Sequence, residues 1–245
     1  MEHILLPTSI SIDTTDNSNV GKLVMSPFQQ GYGTTVGNAL RRVLLSSLPG
    51  AAVESVKIDG VQHEFGSIDG VQEDMVEVIL NLKEMAVILH TDTPVVLTLQ
   101  KKGKGPVLAG DFEKNADVEI VNPDLTLMTV TSDRALNMEI IVGKGRGYVP
   151  AGEKETKNLD LGTIVIDSLY TPIRDVGYKI ENTRVGDVTD YEKLMVTIET
   201  NGTITPKEAI QQSTKILMDH FAVMLDIPEH GRSGAHQDDA TDVEV

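Results

Sequence analysis

Residues 31–50, GYGTTVGNALRRVLLSSLPG, form the stretch that decides the fold, because they predict one amphipathic helix. Apolar side chains recur there at the i, i+3, i+4, i+7 and i+8 spacing with which a helix covers a core. This core-facing stripe consists of Val36, Ala39, Leu40, Val43 and Leu44. The helix is expected to begin after Thr34 or Thr35 and to end at Pro49 and Gly50.

The same helix carries a second face that points away from this stripe. At about 100° per residue, Leu45 lies on the opposite side, with Asn38, Arg41 and Arg42 beside it. A guanidinium group pairs well with carboxylates at an interface, so this combination favours a surface that a partner protein covers. Single exposed leucines are nevertheless common on protein surfaces. The residues alone leave both interpretations open.

The glycines at the start of the helix suggest an alternative function, nucleotide binding. Gly31, Gly33 and Gly37 follow a strand-like run at 22–28 and open a helix, as in a dinucleotide-binding turn. Their spacing is G-x-G-x-x-x-G rather than G-x-G-x-x-G/A, and no repeated strand–helix–strand units follow. A tight entry into the helix is the simpler explanation. An enzyme that binds a nucleotide at 31–37 is therefore the less favoured hypothesis.

The composition describes an acidic globular protein of 245 residues, of which 40% are hydrophobic. This length can bury one large core or two small ones. The net charge of −16 argues against a third hypothesis, a DNA-binding module. The sequence contains no cysteine, no signal peptide and no apolar run near the ~20 residues of a membrane span. We therefore expect a cytoplasmic protein without membrane contact.

Two further helices are predicted. One covers residues 72–84, where acidic residues near the start and Lys83 near the end suit the helix dipole. The other begins at TPKE, 205–208, which is a capping box with proline at the first helical position. Its broad apolar stripe comprises Ile210, Leu217, Phe221, Met224 and Leu225, widened by Ala209, Ile216 and Val223. A stripe of this width exceeds what one small sheet needs and indicates a second partner for the helix.

Most of the remaining chain predicts strands. Residues 52–58 and 61–65 flank Asp59 and Gly60 and predict a hairpin. Further strands are predicted at 95–100, 118–121, 125–130 and 136–142, and a pair at 178–185 and 193–200 joined by a loop with Gly186 and Asp190. Residues 229–245 are polar and acidic, which is typical of a disordered tail or a linker.

The sequence shows no recognisable catalytic, cofactor or metal site. Its histidines are never spaced as in a helical metal site, and Walker A, G-x-S-x-G and H-E-x-x-H motifs do not occur. The best phosphate-loop candidate is GKGRG at 143–147, but no helix pattern follows it, so we predict a glycine-rich turn there. We expect no cofactor and no catalytic residues in this chain.

Five segments, taken together, resemble one protein family. They are GNALRRVLLSSLPGAAVESVKIDGV (37–61), GVQEDMVEVILNLK (70–83), GRGYVPA (145–151), YTPIRDVGYKIENTRV (170–185) and ETNGTITPKEAI (199–210). In this order they are similar to the N-terminal region of the bacterial RNA polymerase alpha subunit. The resemblance covers most of the chain except the first residues and the acidic tail.

The resemblance implies an α+β fold in two domains. A discontinuous dimerisation domain, built as an antiparallel sheet with two helices, would take residues 1–50 and 174–228. A mostly-β domain would be inserted between these parts at 51–173, and residues 229–245 would form the tail. The family usually carries a separate C-terminal domain that binds promoter DNA, and nothing in this sequence matches it. No direct DNA contact is therefore expected from this chain.

The resemblance also implies a function, that of a non-catalytic assembly scaffold in a DNA-directed RNA polymerase, the nucleotidyltransferase complex of transcription. In this family the first and last helices pack crosswise against their copies to form a homodimer. The matching positions are Val36, Leu40, Leu44, Ile210, Leu217, Phe221 and Met224. One copy engages the beta subunit and the other the beta-prime subunit. Arg41, Arg42 and Leu45 match the beta-facing helix, and Lys83 and Ile173 match further positions implicated in large-subunit contacts.

Overall fold

Two hydrophobic cores organise the computed structural model, which describes residues 4–14, 18–154 and 160–225. The two ends of the chain build one core, and the middle builds the other. The strands are β1 (Ser9–Thr14), β2 (Val20–Phe28), β3 (Pro49–Ile58), β4 (Val87–Leu89), β5 (Val95–Lys101), β6 (Gly105–Leu108), β7 (Val118–Ile120), β8 (Thr126–Val130), β9 (Leu136–Arg146), β10 (Tyr148–Val149), β11 (Ile164–Val165), β12 (Ser168–Leu169), β13 (Ile173–Val185) and β14 (Val188–Thr200). The longer helices are α1 (Tyr32–Ser46), α2 (Met75–Lys83) and α3 (Pro206–Leu225).

The terminal body consists of β1, β2, α1, β13, β14 and α3. Its strands form an antiparallel sheet in the order β1-β2-β14-β13, against which α1 and α3 pack. Inward-pointing side chains of the strands meet the apolar stripe of α1 in one core. The core residues are Leu23, Phe28, Leu40, Leu44, Leu48, Ile173, Val176, Leu194, Val196, Ile198 and Ala209.

The central body contains β3 to β12 and α2. Its main sheet has the order β5-β9-β3-β4-β7, with β11 as a further partner of β3, and the pairs β6-β8 and β10-β12 complete it. The 3.6-residue period of α2 is confirmed, because Met75, Val78, Ile79 and Leu82 are buried in the central core. Antiparallel sheets combined with helices confirm the predicted α+β class.

The chain crosses between the two bodies twice. On the outgoing crossing, Leu48 packs in the terminal core and Val53 in the central core. On the return crossing, Ile166 packs in the central core and Ile173 in the terminal core. The predicted boundaries at 50/51 and 173/174 fall near these crossings, but Ile173 packs with the terminal body rather than with the insert. The predicted tail at 229–245 lies outside the described residues.

Local signals explain where the helices begin. Gly31 adopts a left-handed conformation with φ at 89°, so the chain turns directly into α1 and the helix begins earlier than predicted. The capping box of α3 is confirmed. Glu208 Oε2 accepts hydrogen bonds from the Thr205 N–H and hydroxyl, both at 2.9 Å, and the Glu208 N–H donates to Thr205 Oγ1 at 3.2 Å. The hydrogen bond from the Thr205 N–H, followed by the one from the Thr205 hydroxyl, holds the pKa of Glu208 below its usual value.

Thr205→Ala is expected to lower the free energy of unfolding by about 1 kcal/mol, because it removes one half of this cap. Urea denaturation followed by circular dichroism measures the change. Thr189→Ala is the matched control, because Thr189 is exposed and its hydroxyl bonds the neighbouring Asp190 side chain. Equal losses in the two variants would contradict the capping role.

The predicted hairpin at Asp59 and Gly60 is wrong in its second strand. Gly60 does turn, with φ at 88°, but residues 61–65 form no strand. The edges of β3 are already taken, because β9 pairs along one side and β4 and β11 pair along the other. Phe65 consequently stays on the surface.

Two turn predictions are corrected by strand pairing. Residues 143–146 continue β9 and pair with residues 49–52 of β3, so in GKGRG only Gly147 (φ 63°) turns. β13 and β14 extend to a two-residue turn at Gly186 and Asp187, which places Asp190 inside β14. In both cases a partner strand, which a local pattern does not reveal, extends the element.

Candidate protein–protein interface

A carboxylate from distant sequence anchors the N-terminus of α1. Glu192 of β14 accepts a hydrogen bond from the Gly31 N–H through Oε1 and one from the Gly33 N–H through Oε2, each at 2.9 Å. Negative charge at this end also suits the helix dipole. A Cβ at Gly33 would lie 2.7 Å from this carboxylate, and one at Gly37 would lie 2.9 Å from Leu194 Cδ1. The glycines thus let α1 lie close against the sheet.

This anchoring argues against the nucleotide hypothesis at 31–37. In a phosphate-binding turn, free backbone N–H groups point at the ligand. Here the N–H groups of Gly31 and Gly33 already bind an internal carboxylate, whose charge would repel a phosphate. The glycine run therefore serves the packing of α1.

The outward side of α1 presents two arginines. Arg41 and Arg42 are exposed, as is Asn38. Neither guanidinium group has an ion-pair partner among the described residues. Leu45 differs from the expectation, because it is half-buried and packs at the margin of the terminal core. This face is therefore cationic, with Leu45 at its edge rather than at its centre.

The inward stripe of α1 belongs mainly to the terminal core. Leu40 is buried and Leu44 is 0% exposed, whereas Val36 is half-buried. A side chain without exposed surface in its own chain has none to offer to a second copy. Leu40 and Leu44, which are predicted to lie at the dimer surface, pack α1 on the sheet within their own chain and leave little surface for a second copy, so their dimer contact stays a prediction. Val36 keeps some surface for a contact.

The C-terminal half of α3 exposes an apolar face. We call this surface the α3 face; it consists of Met218, Phe221, Met224 and Leu225, whereas the exposed Val223 lies about 160° from Phe221 around the helix. Phe221 is 58% exposed and Leu225 is 85% exposed. Ile210 and Leu217, nearer the start of the helix, are half-buried against the terminal core. Monomeric proteins rarely expose large apolar side chains clustered in this way, so the α3 face is a candidate docking surface.

The α3 face contains one residue, Met218, that is not in the predicted apolar stripe of α3. Met218 lies three residues before Phe221 and is exposed beside it. The i, i+3 spacing that selected Phe221 and Met224 also selects Met218, so the signal was present in the sequence.

Lys83 and Ile173 lie in different bodies. Lys83 Nζ forms an ion pair with Asp167 Oδ2 at 2.9 Å, and the Ala151 N–H donates to Asp167 Oδ1 at the same distance. The pKa of Asp167 is lowered to about 2, first by the hydrogen bond from the Ala151 N–H and next by the hydrogen bond from Lys83. Lys83 is thus engaged within the central body, while Ile173 is 3% exposed in the terminal core.

The described residues contain no group of three or more His, Cys, Asp or Glu side chains that could hold a metal ion. Within the same part of the chain, the helices are too short or too polar to cross a membrane.

Comparison with known proteins places similarity in both bodies. The family model described as "RNA polymerase Rpb3/RpoA insert domain" matches residues 56–171, which run from within β3 to just beyond β12. Relatives that are longer than this chain extend the similarity to the terminal body.

Three such relatives are each named "DNA-directed RNA polymerase subunit alpha". The protein of Desulforamulus reducens is 50% identical over 218 residues, which are 89% of this chain and 69% of the relative. That of Alkaliphilus oremlandii is 47% identical over 219 residues, again 89% and 69%. That of Clostridium perfringens strain 13 is 46% identical over 245 residues, which are 100% of this chain and 75% of the relative.

Proposed function

This chain belongs to the family of DNA-directed RNA polymerase alpha subunits, and we propose that it is a non-catalytic assembly scaffold of a bacterial RNA polymerase core. In this proposal it acts in the bacterial cytosol as a homodimer, needs no cofactor and recruits the beta and beta-prime subunits. The observation that carries the proposal is the exposed α3 face in a chain of this family. An assembly subunit needs such a surface, whereas a freestanding monomer would keep it covered.

A second copy of the chain is the proposed partner of the α3 face. Homodimer interfaces are more apolar than other protein surfaces, which suits Phe221 and its neighbours. Helices crossing their copies would cover the ~1,600 Å² of a stable interface. Ile210, Leu217 and Val36, which are half-buried, would complete the contact at its rim.

The outward side of α1 is the proposed contact with the beta subunit. Arg41 and Arg42 offer planar donors to partner carboxylates, and Leu45 offers a small apolar edge. The two copies are chemically identical, so the partners decide which copy meets beta and which meets beta-prime. Lys83 is a further proposed large-subunit contact, while buried Ile173 would act by supporting the start of β13.

We propose no direct contact between this chain and DNA. Its net charge of −16 opposes binding to a phosphate backbone.

The test is the mass of the isolated chain in solution, measured by light scattering coupled to gel filtration over a range of concentrations. A homodimer has twice the chain mass of 26.6 kDa, and we expect this value to persist on dilution. Addition of purified beta subunit should then give a larger complex that retains two copies of the chain. A stable monomer at all concentrations would contradict the scaffold proposal.

A further inference from the structure

Gly143 and Gly145 clear one face of β9 for two larger side chains. The glycines alternate along the strand, so both lie on the same side of the sheet. A Cβ at Gly143 would overlap the carboxylate of Glu54, and one at Gly145 would lie 2.7 Å from the ring of Tyr170. The Tyr170 hydroxyl donates to Glu54 Oε1 at 2.6 Å. Gly143 and Gly145 therefore leave the space that the hydrogen-bonded side chains of Tyr170 and Glu54 occupy.

Tyr170 lies on the return crossing between the bodies. It is 5% exposed, yet it is a member of neither hydrophobic core. Its N–H donates to the carbonyl oxygen of Gly147 at 2.8 Å. Its own carbonyl oxygen lies against Gly50 on the outgoing crossing, where a Cβ would not fit. The two crossing segments therefore contact each other through the backbone at Gly50 and Tyr170.

The pKa of the Tyr170 hydroxyl favours its protonated form, which can donate a hydrogen bond. Burial, followed by the neighbouring Glu54 carboxylate, raises the pKa of Tyr170 above its usual value. The hydroxyl therefore keeps the proton that it donates to Glu54 at neutral pH.

A cleft next to the crossings separates the two bodies. Its volume is about 460 Å³, and it is lined by Val87, Ile88 and Lys144 of the central body and by Ile204 and Gln212 of the terminal body. Open space at this junction leaves room for a hinge motion about the two crossing segments. A side chain that ties one crossing to β9 restricts that motion.

We propose that Tyr170 is a positioning residue whose ring, seated on Gly145 and bonded to Glu54, fixes the angle between the terminal and central bodies. The consequence for assembly rests on the proposed function. A large subunit that contacts both α1 and Lys83 touches both bodies, so a fixed angle presents a preorganised surface and lowers the entropy lost on binding. Dimerisation through the α3 face uses the terminal body alone and does not depend on the angle.

Tyr170→Phe tests the proposal, because it removes the hydroxyl bond and keeps the ring. The sequence contains no cysteine, so single cysteines can replace Lys104 in the central body and Asp190 in the terminal body, both exposed, to carry spin labels. Electron–electron double resonance on labelled chain, diluted with unlabelled chain, measures the distance between the bodies. The parent should give a narrow distribution. In Tyr170→Phe the population at other distances should rise roughly tenfold, as loss of a partly buried hydrogen bond to a carboxylate implies.

Two further variants complete the design. Gly145→Ala pushes the ring from its seat while leaving both hydrogen-bonding groups in place, and it should broaden the distances as well. Tyr148→Phe is the matched control, since Tyr148 is exposed and its hydroxyl lies near Asp167 rather than Glu54. Narrow distributions in both Tyr170→Phe and Gly145→Ala overturn the proposal, even if their melting temperatures fall, because the residue would then only stabilise the fold.

Binding of purified beta subunit separates this inference from the proposed function. We expect the variants with broad distances to bind beta more weakly while their dimer mass stays unchanged. Unchanged beta binding despite broad distances overturns the positioning role. If the parent chain itself fails to bind beta, the proposed function is wrong, and the distance measurement still decides whether Tyr170 fixes the angle.

Discussion

Phe221→Ala is expected to shift the homodimer strongly toward the monomer. Phe221 lies in the middle of the α3 face, with Met218 and Met224 on either side along the helix. Truncation of a central aromatic anchor costs ~2 kcal/mol or more of binding free energy, so the dimer dissociation constant should rise by roughly 30-fold at least. Sedimentation equilibrium over a range of concentrations measures this constant directly.

Phe65→Ala is the matched control for this substitution. Phe65 is 80% exposed but lies in the central body, away from α3. The same loss of ring area there should leave the dissociation constant unchanged. Phe221 is exposed within its own chain, so its truncation should not lower the stability of the isolated monomer. An unchanged dissociation constant for Phe221→Ala would place the dimer contact on another surface.

The parts of the fold that the sequence predicted depend on local chemistry. The capping box at Thr205 and Glu208 involves residues three positions apart, and the structure shows its reciprocal hydrogen bonds. The stripe that ends at Leu44 depends on the helical period alone, and Leu44 is fully buried. Such patterns lie within a few helical turns, so they can be recognised without knowledge of the fold.

The parts that the sequence did not predict depend on distant partners. Residues 61–65 carry a strand-like pattern, but β9, β4 and β11 already occupy the edges of β3. Residues 143–146 carry a turn-like pattern, but residues 49–52 pair with them and extend β9. Sheet pairing is decided by which edges are free in the folded protein, and a local window contains no information on that.

The candidate interface shows the same difference between features set by local pattern and features set by distant partners. The exposure of Arg41 and Arg42 follows from the period of α1, and the structure agrees with it. The depth of Leu45 does not follow from the period, because it depends on how closely α1 lies against the sheet. Glu192 sets the position of the helix start from 161 residues away in the chain, and no local pattern announces it. The sequence therefore predicts on which side of α1 a residue lies, but it does not predict how exposed each side chain is.

Arg42→Ala is expected to weaken binding of the beta subunit and to leave the homodimer intact. Arg42 is exposed on the outward side of α1, and its guanidinium group has no ion-pair partner among the described residues. Arginine is enriched among the residues that dominate binding energy, and loss of one such residue costs ~2 kcal/mol, or roughly 30-fold in dissociation constant. Fluorescence titration of labelled chain with purified beta subunit at fixed salt measures the change.

Arg134→Ala is the matched control, because it removes the same charge from an exposed arginine of the central body that pairs with Asp69 at 3.4 Å. Both variants change the net charge equally, so any difference between them in beta binding arises from the location of the guanidinium group. Arg42→Lys keeps the charge but loses the planar donor fork, and we expect it to bind with intermediate affinity. Equal binding by Arg42→Ala and the parent would remove the outward side of α1 from the beta contact. Loss of the homodimer in Arg42→Ala would instead assign this side of α1 to the dimer, and the α3 face would then be the surface left for the large subunits.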